Sequence, residues 1–347
     1  MASAPAPIGG TVYPGDFGPS VLFMVLYAAL VPLMLYRMFD RRSRTILLIG
    51  TVMFSAERVA IFALRTIQSR SETQRFASGI VRYMQVSFGM GYLGIANDLV
   101  SLLRCMLVNP TYGSEMYFQS PAAATKGGTY SPPPPGTPDV PRLRARLRRL
   151  MAFMSLTFFA AIVPGIISNS GYSQNFHNQD AANRKSTLRF ASAAINLALC
   201  LTMVLTTVWS LKWFPSNSKR ETGIVFTVAS LMAVISIYRL SVNHFKVTSL
   251  AGPSPLNSSG AKAAFYIFHV FPEWVANTIL LFPNIRKLFG TGAWGDFRFK
   301  DMTPDQVRKW NIQQEKKERK RKARLEMPGD AIPLQEKAEW GSNQSHD

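Results

Sequence analysis

The sequence predicts an all-α polytopic membrane protein, a seven-transmembrane-helix bundle with its N-terminus outside and its C-terminus cytoplasmic. Three observations predict it. Apolar residues are gathered into seven long stretches, the Lys and Arg residues fall mostly on one side of the alternating connections, and the segments between stretches are polar or rich in Pro and Gly. A hydrocarbon core about 30 Å thick needs roughly 20 predominantly apolar residues per helix. The seven stretches lie near 19–35, 45–64, 80–107, 150–168, 190–213, 223–242 and 261–282. A mean hydropathy of only +0.06 reflects dilution by the loops and tail.

With the N-terminus outside, the inner loops and tail hold 28 of the 39 Lys and Arg residues and the outer segments hold 10, Arg58 lying within a helix. Excess positive charge marks the cytoplasmic side. No Lys or Arg precedes the first stretch, so no cleavable signal is expected and the first helix is retained. The sequon at Asn257 then falls in an outer loop and is a glycosylation candidate, whereas the one at Asn343 falls in the inner tail. Cys105 and Cys200 lie within predicted spans as packing residues, and no disulfide is expected.

The domain organisation that follows is a short extracellular N-terminus (1–18), a transmembrane domain (19–283) and a basic cytoplasmic tail (284–347). The third and fourth spans are joined by a stretch at about 109–147 containing Gly127-Gly128 and Pro132-Pro133-Pro134-Pro135, read as a disordered cytoplasmic loop, stiff spacer or dock for a proline-recognising adaptor. At its start, Asn109-Pro110-Thr111-Tyr112 reads as a helix-ending turn or a sorting signal. Arg142, Arg144, Arg146, Arg148 and Arg149 precede the fourth span, where anionic lipid head groups are the expected partner. In the tail, residues 285–289 read as a short surface helix, and Thr303-Pro304-Asp305 as the start of a basic helix running to 326. That helix is attached to the inner leaflet or solvated. With seven spans, no nucleic-acid partner is expected despite a formal charge of +19.

Ionisable groups at membrane depth are costly, about 3 kcal/mol each on insertion scales, so each calls for a partner or a use. Glu57 and Arg58 lie in the second span, Asp98 in the third, Arg239 in the sixth, and His269 and Glu273 in the seventh. The last two are four residues apart and share a helix face beside Pro272, which frees a backbone carbonyl. Glu57, Arg239, His269 and Glu273 are therefore expected to line an outer-facing cavity for an amphipathic or cationic ligand, with Arg58 and Arg239 as counter-ions. The alternative is a set of interhelical ion pairs that fix register. Asp98 and Arg104 near the inner end read as a structural latch or switch.

Several classes are disfavoured. Only four histidines exist and only His269 lies in a span, too few for a seven-helix zinc hydrolase. No mid-span Lys is available for a retinal Schiff base and no glycine-rich nucleotide loop is present, so neither a cofactor nor an enzymatic activity is expected.

Glu57 with Arg65, Tyr83 and Gln85 leading to Arg104, Ile237-Tyr238-Arg239, and Tyr266-Ile267-Phe268 occur in this order between about 19 and 297. In that arrangement the chain resembles fungal seven-helix membrane proteins related to the lipid-translocating exporters of the aminocholesterol-resistance type and their G-protein-coupled-receptor-like relatives. Where those exporters place an acidic residue after the Tyr-x-Phe element, this chain has His269, and the acidic residue expected after the sixth-span Arg is missing. The resemblance implies binding of membrane lipids and lipid translocation in the plasma membrane or an endomembrane, or signalling through a cytoplasmic partner. A membrane scaffold is the third alternative.

Overall fold

The computed structural model describes residues 3–125, 127–170, 178–214 and 219–326. The candidate sequon at Asn343, together with His177 and His346, lies outside the described residues. Seven helices are long and apolar enough to cross a bilayer: Pro14–Phe39, Ile46–Arg70, Ser78–Thr111, Pro141–Ser170, Gln179–Trp213, Lys219–Val242 and Ser259–Leu281. The predicted all-α seven-helix bundle is what forms.

In chain order, a two-residue strand β1 (Ala4–Pro5) precedes the first span, which is divided into α1 (Phe17–Ala28) and α2 (Val31–Phe39). Pro32 supplies no N–H in the first turn of α2, so the continuous ladder breaks just before it. The second span is α3 (Ile49–Arg70), followed by a single turn α4 (Glu72–Arg75); the third is α5 (Ser78–Val108), the fourth α6 (Pro141–Ser170) and the fifth α7 (Gln179–Trp213). Pro164 lies inside α6, where Ser192 of α7 donates to the Ala161 carbonyl in the preceding turn at 2.8 Å. Such side-chain donors make a Pro tolerable at membrane depth.

The sixth span is α8 (Lys219–Val242), and β2 (Lys246–Val247) pairs antiparallel with β1. The seventh span begins as α9 (Ser259–Phe265), widens into a π-helical turn over Tyr266–Val270, and continues as α10 (Phe271–Leu281). Pro272 cannot donate to the carbonyl four residues before it, and the wider turn takes up the mismatch. A short helix α11 (Ile285–Phe289) follows.

Polarity is inverted relative to a water-soluble bundle. Six of the largest fully buried side chains are Arg58, Arg65, Arg144, Arg148, Arg189 and Arg239, while Phe39, Phe153, Leu205, Trp213 and Phe282 stand out from the bundle surface. That is the pattern of a bundle dissolved in hydrocarbon, where charge turns inward to find partners.

Both ends of the bundle depart from expectation. The N-terminal segment, expected only to be short, forms a plug seated across the end where α3 finishes and α5, α7 and α9 begin. The Ala6 amide donates to Phe245 O at 2.8 Å, the Ile8 amide to Gln85 Oε1 at 2.8 Å and the Thr11 amide to Asn257 Oδ1 at 2.9 Å, while Arg189 donates to Ala6 O at 3.0 Å. Gly10 (φ +66°) carries no side chain where a Cβ would meet the Leu256 carbonyl and Asn257, so the plug can lie flat there only on glycine.

At the opposite end the stretch at about 109–147, expected to be disordered, is packed. Single 3-10 turns at Asn109–Thr111, Tyr117–Gln119 and Pro121–Ala124 bury Asn109, Thr111, Gln119 and Ala122. Asn109 donates to the carbonyls of Phe289 and Gly290 at 3.0 and 3.2 Å, and Tyr130 donates to Glu221 Oε2 at 2.5 Å. Burial and the neighbouring Glu221 carboxylate push the Tyr130 phenol above its ordinary range. The loop stays put because its polar side chains reach the Glu221 carboxylate of α8 and backbone carbonyls at the end of α11, which composition does not reveal. Tyr112 is buried against Arg144 and Arg148, so the Asn-Pro-x-Tyr element is a helix-ending turn.

Two of the five arginines expected at lipid head groups also turn inward. Arg144 grips Asp139 through two 2.9 Å bonds, and Arg148 grips Asp296 likewise, while Arg142, Arg146 and Arg149 are exposed. Helix α11 has the expected bounds but packs Ile285 and Phe289 into the bundle instead of resting on lipid. The compact unit extends to Phe299, so the separate tail starts at Lys300 and not at 284. Within that second unit, α12 (Pro304–Glu326) begins where Thr303 predicts: Thr303 Oγ1 accepts from the Gln306 amide and Gln306 Oε1 from the Thr303 amide.

Candidate functional site: a polar seam between the second and seventh spans

Four of the charged residues singled out from sequence, Arg58, Arg239, His269 and Glu273, meet in the centre of the bundle and are completely buried. Arg58 on α3 places Nε 3.0 Å from Glu273 Oε2 and Nη2 2.9 Å from Oε1, a two-pronged pair with the first turn of α10. Its remaining terminal nitrogen donates to Ser87 Oγ of α5 at 2.7 Å, and the guanidinium lies over Phe54 and Phe88, 4.2 and 4.9 Å from the ring centres. Room for that plane comes from Gly91 of α5, where a Cβ would strike the Phe54 ring and Arg58 itself.

His269 sits one turn earlier, in the π-helical segment, with Nε2 3.6 Å from Glu273 Oε1. The predicted helix-face pairing of these two residues therefore exists, stretched beyond hydrogen-bond length. The imidazole is enclosed by aromatic rings: Phe265 at 5.4 Å, Tyr238 at 5.8 Å, Phe88 at 5.9 Å and Tyr92 at 6.3 Å between centres. Arg239 of α8 approaches the same Tyr92, its guanidinium 5.2 Å from the ring centre, with Nη1 donating to Tyr92 Oη at 3.0 Å and to Gly89 O at 2.5 Å.

Two expectations are corrected here. Among the described residues there is no open outer cavity around these four side chains; all four are fully buried beneath the aromatic rings and the N-terminal plug. Glu57 does not join them. It is half-buried on the neighbouring face of α3, since adjacent helical positions point about 100° apart. Arg58 is the counter-ion of Glu273 as expected, whereas Arg239 has no carboxylate within 4 Å among the described residues.

The cluster is the middle of a longer seam. Toward the basic end, Asn277 Nδ2 donates to Glu273 O at 2.7 Å, Ser55 Oγ donates to Asn277 Oδ1 at 2.8 Å and to Thr51 O at 2.9 Å, and Asp98 accepts from the Thr51 amide and hydroxyl at 2.6 and 2.8 Å. Asp98 thus latches α5 to the first turn of α3. Arg104 does not pair with Asp98; it donates to Asp296 at 3.0 Å, the same carboxylate held by Arg148.

Toward the plug, Arg65 donates to Asp16 at 2.8 Å and to Tyr266 Oη at 3.0 Å, Tyr266 donates to Asp16 at 3.1 Å, and Lys262 reaches Asp16 at 2.9 Å and the carbonyl of Thr11. On α3 the seam uses positions 51, 55, 58 and 65, and on the seventh span 266, 269, 273 and 277, in each case one stripe at helical spacing.

Asp16, Asp296 and Asn277 were not among the sequence candidates. Asp16 is the only acidic residue before the first span, which is a signal; Asp296 sits in a loop after the last span with nothing in sequence to tie it to Arg104 or Arg148. Asn257, the glycosylation candidate, is half-buried and holds the Thr11 amide.

An unpartnered polar atom inside a bundle is expensive and calls for an explanation. Among the described residues neither ring nitrogen of His269 has a hydrogen-bond partner, and Nε and Nη2 of Arg239 have none. Comparison of the chain with protein-family profiles, with curated proteins and with solved structures finds no match in any of the three.

Proposed function

We propose that this multi-pass membrane protein binds an amphipathic, lipid-like molecule inside the bundle, its polar head at Arg239 and His269, and translocates it. The observation that carries the reading is Arg239: among the described residues it is a fully buried guanidinium with two nitrogens lacking a hydrogen-bond partner and no carboxylate within 4 Å, beside an imidazole whose nitrogens also lack one. The arginine of the seam, Arg58, is already neutralised by Glu273. The charge left over at the centre is positive, so the head group it suits is anionic, a phosphate or carboxylate, and not cationic. Aromatic faces of Phe88, Phe265 and Tyr238 suit the apolar part of such a ligand.

Entry requires the N-terminal plug to lift and the rings around His269 to part. The π-helical turn and Pro272 put a weak point in the seventh span at that level, and π turns are frequent at functional sites.

Transbilayer movement of fluorescent phosphatidylserine and phosphatidylcholine analogues in proteoliposomes tests it, comparing the intact protein, Arg239→Gln and protein-free vesicles. The expected result is movement above empty vesicles that falls at least about tenfold for the serine lipid in Arg239→Gln, in line with loss of one buried charge-assisted contact. No movement above empty vesicles rejects translocation, and undiminished movement in the variant rejects Arg239 as the head-group site. The unbroken chain from Glu273 through Asn277, Ser55 and Thr51 to Asp98 favours a second reading, a receptor-like switch, in which ligand changes the inner face without being moved.

A further inference from the structure

We propose that a crevice between the sixth and seventh spans at the basic end of the bundle is a binding site for one anionic phospholipid, separate from the central cluster. The cavity has a volume of about 470 Å³ and is walled by Ile224 and Thr227 of α8, Ile279 of α10 and Leu288 of α11, with Arg220 and Lys287 among its lining residues. Among the described residues no Asp or Glu lines it.

Chemistry fixes the occupant. Two cations at the helix ends select a negative head group, and apolar walls running from there toward the hydrocarbon select a chain attached to it. Phe226 and Phe282, both exposed on the same two spans, continue the apolar surface outward. A free anion would leave the apolar walls unfilled, and a lipid without a charged head group would place nothing of opposite sign beside the two lining cations. This end of the bundle is the one that the Lys and Arg count assigns to the cytoplasm, where the leaflet carries anionic lipid. The site does not depend on Arg239 or on translocation.

Native mass spectrometry of the full chain, released from micelles with phosphatidylserine or phosphatidylcholine, reads the bound lipid directly. The intact protein is expected to retain one phosphatidylserine in preference to phosphatidylcholine. Arg220→Gln/Lys287→Gln is expected to cut that preference about tenfold, since each basic group near a head group contributes on the order of 1 kcal/mol. Arg184→Gln/Lys246→Gln, which removes equal charge from exposed positions at the opposite end of the bundle, is expected to leave it unchanged, and Ile279→Trp, which fills the crevice and keeps both cations, is expected to reduce it. Monodisperse elution and an unchanged helical circular dichroism spectrum establish folding of each variant. Equal retention in all variants, equal loss in the control at the opposite end, or full competition by millimolar inorganic phosphate would overturn the proposal, the last pointing to a free-anion site.

Discussion

Arg58 and Glu273, 215 residues apart in sequence, close a two-pronged ion pair of 2.9 and 3.0 Å at the centre of the bundle, and neither side chain has any exposed surface. The pair ties the second span to the seventh at the level where the seventh span is distorted. Its worth is conditional: a buried pair costs much to desolvate, so removing one partner is far worse than removing both.

Glu273→Leu alone is therefore expected to destabilise the protein by about 3–5 kcal/mol, and Arg58→Met/Glu273→Leu to recover most of that. Thermal unfolding in detergent of the two single variants and the double variant measures it. Additive losses would show that the two groups are not coupled.

The hub at Asp16 holds the plug through Arg65, Lys262 and Tyr266. Met84, 3 % exposed, lies beneath the plug beside Pro7 and Gly10. A Met84→Cys variant is expected to react slowly with an impermeant maleimide, and about fivefold or more faster when Asp16→Asn is added, because local opening sets the rate. Labelling on intact cells would also report that the plug faces outside. Fast labelling without Asp16→Asn would mean that the segment is not seated.

Asn257 supplies a second tether, its side-chain oxygen receiving the Thr11 amide at 2.9 Å. Asn257→Ala is expected to raise Met84→Cys labelling less than Asp16→Asn does, since it removes one neutral bond and not a charged hub. The ranking of the three labelling rates decides the point.

Asp296 neutralises both Arg104 and Arg148, whereas Asp139 serves Arg144 alone and is partly exposed. Asp296→Asn leaves two guanidinium groups short of a counter-charge and is expected to cost about 3 kcal/mol or more. Asp139→Asn is expected to cost less because solvent screens it. Melting temperatures of both variants in the same detergent check the order.

Tyr130 closes the inner loop onto Glu221. Tyr130→Phe is expected to cost about 1–2 kcal/mol, the price of stranding a buried carboxylate oxygen, and to expose the loop to thermolysin. A loop cleaved equally fast in the unsubstituted protein would restore the disordered reading.

The architecture was legible because hydrocarbon imposes a simple condition. Each span must be apolar for about 20 residues, and that condition leaves its mark locally, residue after residue. The pairing of His269 with Glu273 was legible for a related reason, since four residues on one helix fix a shared face. Arg58 was identified as a counter-ion because a charge at that depth needs one.

What sequence left open is whatever depends on residues distant in the chain. Composition made residues 109–147 look unable to fold, yet their polar groups find partners on α8 and α11, and only the tertiary structure brings those partners within reach. The same holds for the plug. Residues 3–16 carry no periodic signal, and their seat exists only once the ends of five spans have been assembled around Asp16 and Asn257. Glu57 shows the limit from the other side: its depth is set by position along α3, but whether it faces Glu273 is set by the rotation of that helix against its neighbours. Sequence by itself thus determined the spans, their number and the buried charges, because burial in hydrocarbon is a local requirement. Which charges meet, that the central cluster is closed, and that Arg239 has no carboxylate beside it were decided by helix packing, a property of the whole bundle.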